Sequence, residues 1–411
     1  MHLDRRLDCR TPAAPALALA TVLLLAGCGE GTGGRDGWAG TVDTLPNGLV
    51  QVTNPAEGAW DPETAWQVVE QVRIGTMEGT GPDLFGQVRA VEVDREGRLW
   101  VLEAQAMEVR VFDGDGRHVR TIGRKGGGPG EFAEPIGLAW SPAGELWIPD
   151  PRNNRITILD TAGAFVRSHR MIGGFVVMPW PGGFDDRGYF YNIAPSRSAS
   201  GFAMKFVRYD TALVALDTLS PPEWTGPRSS FEHVSADGRG RMMTDVPFSP
   251  GMDRKLTSAG DFWFVHTGPY ELYHLNAAGD TVRKVTKAFT PVSVTEADKD
   301  AAIEGLEWFT KQGGKVDRSR IPGVKPAVRR LLVAEDGHLW VEPTLADTAD
   351  VGRVFEIFDP DGRYLGRVRL PFGPAWMPPV IRGDTFVAVT TDELDIPYVV
   401  RAKIVKPERA T

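Results

Sequence analysis

The chain has little cysteine, no apolar run long enough to span a bilayer near its start, and no long acidic run. Cys9 and Cys28 are the only cysteines among the 411 residues. If the segment before Cys28 is removed, one cysteine is left, and the chain cannot form an internal disulfide. The run Pro15–Leu25 is shorter than the roughly 20 apolar residues that span a bilayer. The formal net charge of −8 argues against a nucleic-acid partner, because such proteins carry a basic footprint.

The first thirty residues resemble a bacterial lipoprotein signal. Three arginines precede the apolar run, and Leu25–Cys28 reads Leu-Ala-Gly-Cys, which resembles a lipobox cleaved before the cysteine. The resemblance implies export and a membrane anchor through lipid on Cys28, at the outer membrane, its periplasmic face or the cell surface. An ordinary signal peptide with a chance cysteine is the alternative. We expect residues 1–27 to be the signal and residues 28–58, rich in Gly, Thr, Asp and Pro, to be a flexible tether.

A short motif, a glycine followed by an aromatic-containing β-prone strand, recurs six times. The clearest copy is Gly97–Val101, and the glycine suits a tight hairpin turn because it takes φ > 0 at no steric cost. A second hairpin follows in most copies, so that each unit supplies four strands. The first two units lie 47 residues apart, within the ~40–50 residue period of propeller blades. The other copies begin at Gly144, Gly188, Gly260, Gly337 and Gly383.

The sixth unit is incomplete, because the chain ends after Tyr398–Val405. The segment Ala65–Ile74, ahead of the first unit, has no unit of its own and can supply the missing outer strand. The sequence therefore predicts an all-β, six-bladed β-propeller over residues 59–411, closed by an N-terminal strand.

Part of the second unit resembles an NHL repeat. Phe132–Ala139 is similar to the opening of that repeat, and Leu146–Asp150 with Asn153–Ile156 is similar to its middle. The glycine-rich Gly126–Phe132 is typical of six-bladed bacterial lipoprotein propellers. The resemblance implies the fold, but that family mixes binding modules with a few lyases and hydrolases.

One insertion interrupts the propeller pattern. Thr295–Asp298 resembles a helix-capping box, and the spacing that follows places four apolar side chains on one helical face. We expect a helical insertion over about residues 295–325, between blades four and five and packed against one end of the ring. The four side chains are Ala302, Ile303, Leu306 and Phe309.

Candidate binding residues come from the position three residues beyond the aromatic anchor of each blade. Loops after the second strands of propeller blades line one face around the channel, so we expect ionisable groups there to converge on one channel mouth; exposed polar loop residues are the alternative. The equivalent positions hold Glu103, Asp150, Ile193, His266, Pro343 and Val389. The candidate ligand-binding set is Glu103, Asp150, Arg152, Asn153, Arg155, His266 and Glu342.

Catalytic signatures are few. The sequence has no Gly-x-Ser-x-Gly nucleophile motif, and Gly123–Gly130 lacks the Gly-Lys-Ser/Thr end of a phosphate loop. Asp113–Gly116 and Asp359–Gly362 faintly resemble calcium loops, but they stand where hairpins need turns. A three-histidine metal site is disfavoured because His266 and His274 fall in one blade.

Two functions remain open. The first is a non-enzymatic binding or scaffold module at the cell envelope, whose loop face takes a peptide, glycan or protein partner, without a firmly implied cofactor. The alternative is an envelope lyase or hydrolase that uses Glu103, Asp150 and His266, with a divalent metal as the conceivable cofactor. The basic stretch Lys311–Arg330 is either a solvated loop or a surface for an anionic glycan, lipid headgroup or carboxylate.

Overall fold

The chain forms a ring of six antiparallel sheets in a computed structural model. In blades one to five the four strands follow one another along the chain from the inside of the ring outwards. The predicted all-β, six-bladed propeller is therefore confirmed. The structure describes residues 37–172, 178–198, 201–220, 229–235, 238, 240–347 and 352–407.

Blades one to three follow one another along the chain. Their first strands are the innermost, and antiparallel pairing alternates the strand direction across each blade. The strands of blade one are Val88–Val93 (β4), Leu99–Glu103 (β5), Glu108–Phe112 (β6) and His118–Ile122 (β7). Those of blade two are Ala139–Trp140 (β8), Leu146–Asp150 (β9), Arg155–Leu159 (β10) and Phe165–Arg170 (β11). Those of blade three are Gly183–Phe184 (β12), Phe190–Ser198 (β13), Gly201–Tyr209 (β14) and Ala215–Leu219 (β15).

Blades four to six repeat the arrangement, and the sixth is built from both ends of the propeller. The strand Gln67–Ile74 (β3) pairs antiparallel with the last strand, Pro397–Val405 (β28), so the predicted closure is confirmed. Blade four contains Met252–Leu256 (β18), Phe262–His266 (β19), Glu271–Leu275 (β20) and Thr281–Lys287 (β21). Blade five contains Val328–Val333 (β22), Leu339–Pro343 (β23), Val354–Phe358 (β24) and Tyr364–Arg369 (β25). Blade six adds Val380–Arg382 (β26) and Thr385–Thr391 (β27) to β28 and β3.

The core lies between neighbouring blades, where the second strands present bulky side chains to both sides. Leu99, Trp100 and Val101 of β5 are fully buried. Trp100 packs with Leu146 of blade two, whereas Leu99 packs in a cluster shared with blade six. This explains why the recurring Leu-Trp-Val pattern is apolar without alternation: each face of the strand meets another blade.

The hairpin turns share one chemical rule. Asp94 opens the β4–β5 turn, and its Oδ1 accepts hydrogen bonds from the backbone N–H groups of Glu96 and Arg98. Gly97 follows with φ +78°, a conformation that favours glycine. Asp113 makes the same two contacts in the β6–β7 turn, so the sequence resembling a calcium loop is turn chemistry, as expected.

The structure differs from the predicted flexible tether within residues 28–58. Thr41–Thr44 (β1) and Val50–Asn54 (β2) form a hairpin, and β2 lies parallel to β21 on the outer edge of blade four. The chain then follows the edge of blade five, where Trp60 N–H donates to the Leu365 carbonyl. We call residues 38–66 the N-terminal belt; it covers two edges that would otherwise be unpaired.

The predicted insertion between blades four and five is helical. The capping box is confirmed, because Thr295 and Asp298 exchange hydrogen bonds at the start of α1 (Glu296–Glu304). The helix does not run on unbroken, since α2 (Glu307–Lys311) begins separately after Gly305. The buried Phe309 packs in a cluster with Phe231, from the hairpin of Ser230–Val234 (β16) and Arg241–Asp245 (β17), so the helices have a small core of their own.

Candidate functional site

A cavity of about 710 Å³ lies at the centre of the ring. It opens at the end where the first strand of each blade turns into the second, which we call the turn face; the opposite end is the loop face. All six blades contribute to this central cavity, so it is a property of the closed ring rather than of any one blade. One residue from each blade, in order, is Arg95, Pro142, Asp186, Ser258, Glu335 and Arg382.

Contacts between neighbouring blades hold the rim of the central cavity in place. Arg95 donates from Nη2 to the Pro142 carbonyl at 2.9 Å, which ties blade one to blade two. The Asp186 N–H donates to the Ser258 carbonyl at 2.7 Å, which ties blade three to blade four. Arg382 of blade six donates to the Val93 carbonyl.

Two carboxylates that line the central cavity are engaged in hydrogen bonds within the protein. The Oδ2 atom of Asp94 accepts from Arg98 Nε at 2.6 Å and from the indole N–H of Trp100 at 2.8 Å. Asp185 in blade three does the same with Arg187. These buried aspartates anchor their own turns, so they are poor candidates for ligand contacts.

Glu92 stands on the innermost strand of blade one, between the buried Val91 and Val93. Its side chain lines the central cavity and is partly exposed to it. Removal from bulk water raises the pKa of Glu92 to about 7, and the positive charge of Arg382 only partly offsets this effect. A carboxyl group with a raised pKa inside a concave site is a mark of binding and catalytic sites.

Aromatic rings complete the wall. Trp140 and Phe184 are partly exposed and line the central cavity. Each is held by ring contacts behind it: Trp140 meets Trp100 edge-on at 5.1 Å between centroids, and Phe184 meets Trp147 at 4.9 Å. The rings are therefore rigid surfaces on which a ligand can pack.

Glu103 and Asp150 lie at the loop face, as their place at the ends of β5 and β9 requires. Both are buried, and both accept hydrogen bonds from backbone N–H groups of the connection that precedes their blade. Glu103 accepts from Gly86 and Gln87, and Asp150 accepts from Ala133 and Glu134. Their acceptor capacity is largely used in holding these connections.

Asn153 and Arg155 serve the same connection as Asp150. Asn153 donates to Asp150 Oδ2 at 2.8 Å and to the Gly126 carbonyl. Arg155 donates to the carbonyls of Gly128 and Glu131, so the glycine-rich segment is shaped by side chains of blade two. Of the candidate set, these residues are brought together by the structure; Arg152 is exposed beside them.

The remaining predicted residues have separate surroundings. His266 is buried with its ring 4.7 Å from that of Tyr273, and burial lowers the pKa of His266. Glu342 is buried in ion pairs with Arg329 at 2.7 Å and Arg330 at 3.2 Å. His266 lies in blade four and Glu342 in blade five, whereas Glu103 lies in blade one. The other equivalent positions, Ile193, Pro343 and Val389, are buried in their strands.

The central cavity is not evident from the sequence, because its rim has the composition of ordinary hairpin turns. A usable signal is Glu92, a carboxylate next to the last residue of an inner strand that is otherwise mostly apolar. The six first turns are equivalent by repeat position, so comparing them would have brought Arg95, Asp186 and Glu335 to one place.

The structure also bears on the metal and basic-patch hypotheses. Within the described part of the chain, no group of three or more His, Cys, Asp or Glu side chains is placed to hold a metal ion. Several cations of the stretch Lys311–Arg330 are paired internally: Arg318 contacts Glu296, and Lys325 contacts Asp298 at 2.8 Å. Internal pairing leaves less charge for an anionic partner than the sequence implied.

Comparison with known proteins identifies the fold and little more. A family model, DUF5128, described as a 6-bladed beta-propeller, matches residues 71–168. No curated protein matches the chain. A solved structure of a protein from Bacteroides fragilis, described as exported, is 12% identical with a TM-score of 0.51, covering 87% of this chain and 100% of its own.

Two further solved structures are similar at lower scores. Virginiamycin B lyase from Staphylococcus aureus is 9% identical with a TM-score of 0.43, covering 83% of this chain and 100% of its own. A DUF4221 family member from Bacteroides vulgatus is 10% identical with a TM-score of 0.45, covering 84% and 99%. At these identities the likeness concerns the fold alone.

The predicted signal and the lipidation residue Cys28 lie outside the described residues. Among the residues that the structure does describe, no helix is long and apolar enough to cross a membrane.

Proposed function

We propose that this protein is a binding module of the cell envelope, exported and anchored by lipid on Cys28, that takes a ligand in the central cavity. The observation that carries the proposal is the cavity of about 710 Å³ to which all six blades contribute. Ligand sites in proteins are typically concave and ~300–1,000 Å³ in volume, and the wall of this cavity is more polar than is usual for them.

The turn face supports this role better than the loop face. At the loop face, the ionisable side chains Glu103, Asp150 and Glu342 are buried and bonded within the protein. At the turn face, Asp186 and Glu335 are exposed at the rim and Glu92 reaches the interior. The partner we expect is a small molecule, or the end of a peptide or glycan chain, that can enter the ring.

The cysteine content of the chain allows a direct test. Residues 29–411 contain no cysteine, so Ser258→Cys introduces a single thiol at the cavity wall. An environment-sensitive fluorophore on that thiol is titrated with panels of amines, carboxylates, peptides and oligosaccharides. The matched control is Ser168→Cys, an exposed position on the outer strand β11.

We expect at least one compound to change the fluorescence at position 258 saturably and leave that at position 168 unchanged. Unlabelled wild-type protein should bind the same compound in calorimetry. If every compound that binds the unlabelled protein leaves the label at position 258 silent, the central cavity is not the binding site.

A further inference from the structure

The charges that line the central cavity are unequal. Six carboxylates but only two guanidinium groups, those of Arg95 and Arg382, belong to the lining. Asp94 and Asp185 are neutralised by Arg98 and Arg187 behind the wall. Glu96 also lies 3.1 Å from Arg98, and a carboxyl group with a pKa of about 7 is half ionised at neutral pH. The excess of negative charge is therefore carried mainly by Asp186 and Glu335, with a partial charge on Glu92.

The two lining arginines cancel only part of this excess, because four guanidinium groups, including Arg98 and Arg187, stand against six carboxyl groups. Arg382 donates to the Val93 carbonyl and lies 3.9 Å from Glu335, so it offsets part of the charge of that carboxylate. Arg95 is exposed and directed to the Pro142 carbonyl. Low-dielectric walls around carboxylates concentrate their field, so a cation inside the ring is attracted more strongly than one at an open surface.

The apolar part of the wall has the complementary property. Trp140 and Phe184 present partly exposed rings, and Leu256, Val380 and Ile381 add aliphatic surface. Aromatic rings attract organic cations through their faces, and aliphatic walls favour ligands that carry carbon as well as charge. A hydrated metal ion gains little from such a wall.

Resting on the proposed function, we infer that the central cavity binds an organic cation, an amine or guanidinium compound with an apolar or aromatic body. The ammonium group meets the carboxylates of Glu92, Asp186 and Glu335, and the body of the ligand packs on Trp140 and Phe184. The geometry thus combines charge and aromatic surface from different blades in one site.

Three indole compounds of nearly equal size test the class of ligand. Tryptamine carries an ammonium group, tryptophol a neutral hydroxyl and indole-3-acetate a carboxylate. Each is titrated into the mature protein by calorimetry and into the fluorophore-labelled Ser258→Cys protein. We expect tryptamine to bind at least tenfold more tightly than tryptophol, and indole-3-acetate to bind most weakly.

Variants assign the effect to the cavity. The triple variant Glu92→Gln, Asp186→Asn, Glu335→Gln keeps side-chain shape and removes the three ionisable carboxyl groups, and should weaken tryptamine binding at least tenfold. If the triple variant unfolds at a lower temperature than the wild type, the three single variants show which carboxyl group is responsible for the loss of tryptamine binding. Asp115→Asn, which removes a carboxylate from an exposed outer turn, should leave binding within twofold of the wild-type value.

Equal or tighter binding of tryptophol or indole-3-acetate at the label would overturn the cationic class and leave the binding function standing. The inference is also overturned if none of the three compounds changes the fluorescence of the label at position 258. In that case the wider compound panel decides separately whether the cavity binds anything. Equal losses in Asp115→Asn and the triple variant would mean that only net charge is being measured.

Discussion

Glu92 is a carboxyl group placed where the fold would otherwise put an aliphatic side chain. Its neighbours Val91 and Val93 are buried against blade six, whereas Glu92 reaches the central cavity. One face of the strand therefore packs against blade six, and the other face presents a titratable group to the central cavity. Such a residue is not needed for stability, and the raised pKa of Glu92 shows that its ionised form costs free energy.

The pH dependence of stability follows from this shift. The pKa of Glu92 is about 7 in the folded protein, against 4.5 for an ordinary glutamate side chain. Between these values the folded state binds more protons, so the free energy of unfolding falls as the pH rises from 4.5 to 7 and is level above that range. Over this window the ionisation of Glu92 destabilises the protein by on the order of 3 kcal/mol.

Glu92→Gln should remove this contribution. We expect the variant to gain stability relative to the wild type on going from pH 4.5 to pH 7.5, measured by urea unfolding at both values. The double difference cancels the titration of all other groups. Parallel pH profiles for the two proteins would show that Glu92 titrates normally in the folded state.

At the scale of elements, the N-terminal belt depends on one buried side chain. Asn54 donates to the carbonyls of Thr286 and Gly362 and accepts from the Trp38 indole and the Tyr364 N–H. A single asparagine thus satisfies groups on blades four and five. Buried backbone groups left without partners cost about 1–3 kcal/mol each.

Asn54→Ala should lower the free energy of unfolding by about 2–4 kcal/mol, because it leaves the Tyr364 N–H and the Gly362 carbonyl unpaired. Asn47→Ala in the turn of the same hairpin is the control, since Asn47 is exposed and accepts a hydrogen bond from the nearby N–H of Leu49. We expect the control to stay within about 0.5 kcal/mol of the wild type. Equal effects in chemical denaturation would show that the belt is not anchored at Asn54.

The contrast between the blades and the belt shows what sequence reasoning can reach. Blade hairpins have a local sequence signal, which is an acceptor side chain followed by a glycine such as Gly97. The strand Val50–Asn54 pairs with a partner more than 200 residues away, and a segment rich in glycine and proline gives no local sign of it. The insertion was predictable for a similar reason: the capping box of Thr295 and Asp298 is a local signal.

At the scale of the whole molecule, closure of the ring creates the site. β3 and β28 join the two ends of the propeller in blade six, and Arg382 of that blade reaches the Val93 carbonyl of blade one. The central cavity exists only when all six first turns meet. The sequence predicts the six units, and it predicts a site at the ends of the second strands, where ionisable side chains recur. The hydrogen bonds that occupy Glu103 and Asp150 cannot be read from the sequence, and they are the reason we propose the turn face instead.

Hydrogen–deuterium exchange with mass spectrometry, with and without the tightest ligand of the compound panel, tests the central claim most directly. If the ligand occupies the central cavity, protection increases in the turn-face segments 93–97, 141–144, 184–186 and 256–258. The loop-face segments 103–106 and 133–136 should exchange at unchanged rates. Protection confined to the loop-face segments would contradict binding in the central cavity and would indicate a ligand site at the loop face.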